Sequence, residues 1–107
     1  MKSIITPEDR KDLMMDKVHH LLNEEEIKHT KFFSHVYLQP GDEVNYHEHH
    51  GEYEIYYLLT GEGVYLDNGN ESVVKKGDVT YCANGNGHGL KNTGNEPLEF
   101  IALIVVE

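Results

Sequence analysis

The stretch GDEVNYHEHHGEYEIYYLLTG, residues 41–61, decides how this chain is read. Inside its bracketing glycines, the short runs Val44–His49 and Glu54–Thr60 predict two β-strands. Side chains alternate across a strand, so His47 and His49 share one face and Glu48 takes the other. Two imidazoles so placed stand about 7 Å apart along the strand and can converge on one ion above their midpoint. A His-X-His pair is also found in purely structural roles, so by itself it decides little. His50 breaks the alternation and reads as a rim residue.

Outward from this stretch the same punctuation continues. Lys31–Leu38 predicts a strand ended by Pro40-Gly41, and Gly63–Leu66 and Ser72–Lys75 flank Asp67-Asn68-Gly69-Asn70. Asn-Gly tolerates the positive φ of a tight turn, so this pair reads as a hairpin. Val79–Ala83, His88–Asn92 and Leu98–Val106 bring the total to about eight strands. Short, regularly spaced strands with glycine turns predict an all-β sandwich or barrel over residues 29–107. Residues 1–28 read as a separate helical or extended segment: Thr6 is placed to cap, Pro7 to open a helix, and Asp9 to answer the cap. Met14, Val18, Leu21 and Leu22 then fall on one helical stripe. The last strand is apolar on both faces, which predicts a covering partner: the N-terminal segment or, preferred here, a second copy in a homodimer.

With 107 residues there is room for one domain and a real core. Nine Lys and Arg against nineteen Asp and Glu give a formal charge of −10, which argues against nucleic acid and against anionic membrane surfaces. One cysteine, Cys82, excludes an internal disulfide framework and reads as a small buried hydrophobe. No stretch predicts a signal peptide or membrane span, so the expected compartment is the cytoplasm. Eight histidines in so acidic a chain call for an explanation.

Spacing supplies one. From Gly41 there follow five residues, His47, one residue, His49, four residues, Glu54, six residues and Gly61. From Gly77 there follow five residues, Ala83, one residue, Gly85, two residues, His88, three residues and Asn92. This resembles both signature motifs of the cupin superfamily, with one departure: Ala83 stands where the second motif usually has proline. The resemblance, to a small single-domain cupin, implies a double-stranded β-helix, or jelly roll. It also implies one divalent transition metal (Mn, Fe, Ni or Zn) held by His47, His49, Glu54 and His88. Three imidazoles and a carboxylate suit such an ion. On an octahedral metal they leave two positions for a small molecule, which points to an oxygenase, lyase or isomerase, or to a binding protein without turnover.

Tyr56 shares the parity of Glu54 and is the candidate catalytic hydroxyl, while Tyr46, Tyr53, Tyr57 and Tyr81 are expected mostly to fill the barrel. The glycine-rich run Asn84–Gly89 lacks the ending of a phosphate loop and reads as a turn delivering His88. Arg10 is the one arginine, and Lys31, Lys75, Lys76 and Lys91 are expected to face solvent. Without an arginine fork in the barrel, a resemblance to oxalate decarboxylases or sugar-phosphate isomerases is disfavoured. A neutral or metal-chelating small molecule fits better. The remaining histidines, His19, His20, His29, His35 and His50, read as surface residues.

Overall fold

The computed structural model describes residues 2–107. Among them, nine strands form two antiparallel sheets: β1 (Val18–His20), β2 (Thr30–Leu38), β3 (Glu43–Glu48), β4 (Glu52–Thr60), β5 (Glu62–Asp67), β6 (Asn70–Lys75), β7 (Val79–Cys82), β8 (Gly87–Asn92) and β9 (Leu98–Val106). One sheet has the order β1-β2-β9-β4-β7, the other β3-β8-β5-β6, and the two face each other as a double-stranded β-helix. The eight strands expected from sequence all form, within two residues of their expected bounds.

The N-terminal segment forms the expected short helical turn but not the expected helical stripe after it. Thr6 and Asp9 do exchange hydrogen bonds, Thr6 N–H to Asp9 Oδ2 at 2.9 Å and Asp9 N–H to Thr6 Oγ1 at 3.3 Å. The turn they start is a short 3-10 helix, Glu8–Leu13. The apolar stripe that follows is not helical: Val18–His20 is β1, paired with Val36, His35 and Ser34 of β2. A free sheet edge offers unpaired backbone groups to any extended segment, and that pairing outweighs a four-residue helical pattern.

Along β4 the inward residues run Glu52, Glu54, Tyr56 and Leu58, all buried, from polar at one end to apolar at the other. The inner face of β8 repeats this gradient with His88 and then Leu90. Leu58, Tyr65, Leu90, Leu98 and Phe100 close the core at the apolar end. There Asn92 ties three chain segments together. Its amide donates to Leu38 O at 2.9 Å and Glu96 O at 2.8 Å, and its oxygen accepts from Gly94 N–H at 3.0 Å. The barrel closes tightly where glycine permits it. A Cβ on Gly63 would sit 2.3 Å from Lys91 O, a backbone atom that cannot step aside.

Tyr46, Tyr57 and Tyr81, expected in the barrel, stand 47%, 48% and 58% exposed, because their strand parity turns them outward. Tyr65, not singled out beforehand, is the tyrosine that joins Tyr56 in the interior. Cys82 is buried as expected. His19, His20 and His35 are half-buried, not free on the surface: His35 stacks on Tyr37 and meets Glu99, and His20 meets Ser34. No helix among the described residues is long and apolar enough to cross a membrane.

Candidate metal centre

The polar end of the interior gathers four side chains from three strand segments. His47 lies on β3 directly opposite His88 on β8, so the two imidazoles start from paired Cα positions. His49 follows the end of β3, where its backbone N–H bonds Asn86 O at 3.0 Å and its C=O accepts from Gly85 N–H at 2.7 Å. These bonds pin the β3 end to the turn before β8, the same turn the glycine-rich run was expected to form. Glu54 reaches across from β4 in the other sheet. One ligand atom from each of the four lies within 4.8 Å of every other.

The centre is compact and largely buried. His88 is fully buried, and His49 and Glu54 are each 4% exposed; His47 alone is partly open. Glu54 Oε1 is 2.8 Å from His88 Nε2, 2.9 Å from His49 Nε2 and 3.5 Å from His47 Nε2, and the last two rings sit edge to face. His49 Nε2 and His88 Nε2 are 3.1 Å apart. Neighbouring ligands around an ion with bonds of about 2.1 Å lie roughly 3.0–3.4 Å apart, so these separations suit a first-row divalent ion.

The far nitrogens of the three rings strengthen the fit. An imidazole that gives Nε2 to an ion keeps its proton on Nδ1 and needs an acceptor there. His47 Nδ1 lies 2.8 Å from Asn45 O, His49 Nδ1 lies 2.5 Å from Glu52 Oε2, and His88 Nδ1 lies 2.7 Å from the Tyr65 hydroxyl oxygen. All three acceptors are in place. Glu52 also accepts from Lys31 Nζ at 2.9 Å, so its charge is matched.

Charge within the site is strongly coupled. Burial pushes the Glu54 carboxyl up, but hydrogen bonds from His47 and His88 and the nearby imidazoles overcome it and hold the group at about 2. His47 is raised above its usual value, first by its hydrogen bond to Glu54. His88 moves the other way because burial penalises its cation. Tyr56 is buried, stacks on His88 with ring centres 4.8 Å apart, and is pushed well above its ordinary value by burial and by the charge of Glu54. It therefore keeps its proton. Burial likewise pushes Tyr65 up to about 12.

A cavity of about 280 Å³ opens onto this centre. His47, His49, Glu54 and Tyr56 form its floor, while Val18, Phe32, Val36, Val44, Phe100 and Ile104 are among the residues of its wall. No lysine or arginine among the described residues lines it, and Lys31, Lys75, Lys76 and Lys91 are all exposed, as expected. Sequence reading singles out the four central residues and Tyr56 but assigns no role to Glu52, Tyr65 or the wall. Parity marked Glu52 as inward, since it shares the alternation of Glu54; nothing local marks Tyr65 or Val18 as neighbours of the site.

Comparison with known proteins agrees with this geometry. The family model described as "Cupin domain" matches residues 34–106. An oxalate-binding protein of Thermotoga maritima is 42% identical over 97% of this chain and 90% of its own length. Contrary to the expectation drawn from the missing arginine fork, a crystal structure from the same organism, described as a predicted oxalate decarboxylase, superposes with a TM-score of 0.82 at 44% identity. It covers 84% of this chain and 79% of the other. A cupin 2 conserved barrel protein from Salinispora arenicola superposes with a TM-score of 0.76 at 27% identity, over 98% and 90% of the two chains.

Proposed function

The chain belongs to the cupin family, and on that premise we propose that it holds a divalent first-row ion at His47, His49, Glu54 and His88 and uses the ion to bind a small chelating molecule. The observation that carries this reading is the convergence of three Nε2 atoms and one carboxylate oxygen at the floor of an apolar cavity. A bound ion would supply Lewis acidity and open coordination positions. The protein's own residues do the rest. Asn45, Glu52 and Tyr65 orient the three rings. Tyr56 offers a proton-bearing hydroxyl beside Glu54, and the apolar wall excludes water. The ligand-binding reading draws support from the Thermotoga relative, whose name states that it binds oxalate.

A metal-dependent enzyme of oxygenase, lyase or isomerase type is the finer reading, and Tyr56 is the observation that favours it. Among the described residues that line the cavity, Tyr56 is the one outside the four central residues that carries a hydroxyl. Ligand capture without turnover is the alternative.

The test is elemental analysis of protein expressed with Mn, Fe, Ni and Zn supplements, followed by titration of the stripped protein. About one ion per chain is expected in the wild type, and at least a hundredfold weaker binding in His88→Ala. A stripped protein that binds none of these ions would refute the assignment.

The outer face of the five-stranded sheet supports the homodimer. Paired residues across four strands form the rows Phe33–Leu103–Ile55–Tyr81 and His35–Ile101–Tyr57–Val79. In a chain of charge −10 these rows carry no acidic residue, so this is where a second copy can approach without repulsion. We propose that two copies pack these faces together about a twofold axis.

A further inference from the structure

Resting on the metal-centre reading above, we infer that Lys31 is a positioning residue for that centre. A bulge in β2 aims its ammonium at Glu52, and through Glu52 it fixes the ring of His49. Lys31 lies outside both motif stretches and before the residues that match the family model.

The backbone places it. Thr30 pairs with Val105 of β9 and Phe32 with Ile104, so β2 uses two residues where β9 uses one, and Lys31 is the extra residue. In an unbroken strand Lys31 would share the parity of Phe33 and His35, on the outer face of the sheet. An extra residue breaks that alternation and re-aims a side chain. Here the side chain reaches past β9, which lies between β2 and β4, to Glu52 on the inner line of β4. Nζ stands 2.9 Å from Glu52 Oε1.

The two oxygens of Glu52 are thereby divided, Oε1 to Lys31 and Oε2 to His49 Nδ1 at 2.5 Å. A carboxylate held by one oxygen alone swings about its last torsion, whose well is broad; held by both it is fixed. His49 needs that support. Its backbone is pinned at N–H and C=O, but its ring still turns about its own torsion. The Lys31 side chain is 63% exposed, and so open an ion pair contributes little to stability. Its consequence is the angle of the ring. Charge alone gives the opposite expectation, because a lysine repels a nearby divalent ion and its removal would tighten binding. The sign of the effect separates the two.

The experiment is competitive titration of the stripped protein with Zn²⁺, comparing the wild type with Lys31→Met, Lys31→Arg, Glu52→Gln and the Lys31→Met, Glu52→Gln double variant. Lys31→Met keeps the stem and removes the charge. It is expected to weaken Zn²⁺ binding about fivefold, less than the loss from a direct partner of a ligand ring. Lys31→Arg still donates to Oε1 and is expected to stay within about twofold of the wild type. In the Glu52→Gln background, Lys31→Met is expected to change affinity by less than about twofold, because the link it acts through is already cut. Binding by Lys31→Met as tight as the wild type or tighter would overturn the inference and leave the metal-centre reading standing. So would an undiminished loss in the Glu52→Gln background, or no recovery in Lys31→Arg. A wild-type protein that binds no ion would overturn both.

Discussion

Glu52 shows how much one residue beside the centre can do. It accepts from His49 Nδ1 on one side and from Lys31 on the other, and so sets which nitrogen of His49 faces inward. Glu52→Gln keeps the shape and an acceptor oxygen but loses the charge. It is expected to weaken ion binding roughly tenfold to a hundredfold in competitive titration with no change in circular dichroism. The imidazoles also make ion binding depend on pH, since a protonated ring cannot ligate. His47 is raised above its usual 6.5, so protons compete with the ion from the neutral range downward. Elemental analysis after dialysis is expected to show full retention near pH 8 and loss by about pH 5. In ion-free protein the two groups pull oppositely. Glu54, lowered from 4.5 to about 2, lends stability that is whole above pH 4.5 and disappears as pH falls through about 2. His47 lends stability that is whole below pH 6.5 and is lost as pH rises through its raised value. Denaturation midpoints measured across pH would separate these contributions.

At the level of elements, close backbone approach makes the barrel sensitive at particular points. Gly63 on β5 faces Lys91 O on β8. Gly63→Ala is expected to cost about 1–3 kcal/mol by chemical denaturation, because backbone must shift to admit one methyl group. Gly94, where a Cβ would meet nothing nearer than 3.5 Å, is the control, and Gly94→Ala is expected to stay within about 0.5 kcal/mol. Strands such as β4 and β9 were legible because short apolar runs bounded by turn residues are local signals. β1 was not, since Met14, Val18, Leu21 and Leu22 fit a helix as well as anything local can show. What made Val18–His20 a strand is the free edge of β2, which lies more than ten residues further along. The tyrosines failed for a related reason. Composition says that aromatics are buried on average, and parity puts Tyr57 and Tyr81 on the outside.

For the whole molecule the outer face of the five-stranded sheet matters most. Sedimentation at micromolar concentration is expected to give a dimer. Leu103→Glu, placed in the middle of the Phe33–Leu103–Ile55–Tyr81 row, is expected to give a monomer that still binds its ion. A wild-type monomer would remove the dimer from the account. The cysteine belongs at this scale too, because it is the surrounding barrel that buries it. Burial first, then the charges of Glu54 and Asp67, push the Cys82 thiol up to about 11.

Local pattern along the chain suffices for the class of fold, eight of the nine strands among the described residues, and the four residues that meet at the centre. These are properties of spacing: a two-residue strand period and fixed intervals between glycines and histidines dictate which side chains share a face. Only the tertiary structure decided what surrounds them. Tyr65 behind His88, Val18 above the centre and the apolar, cation-free wall are set by contacts between strands far apart in the chain. The composition oddity of eight histidines resolves the same way. Three converge because the sheets bring β3 and β8 together opposite Glu54, and His19, His20 and His35 pack on β1 and β2, away from that centre. Spacing marks the three, and the packing of one sheet against the other brings them onto one point with Glu54.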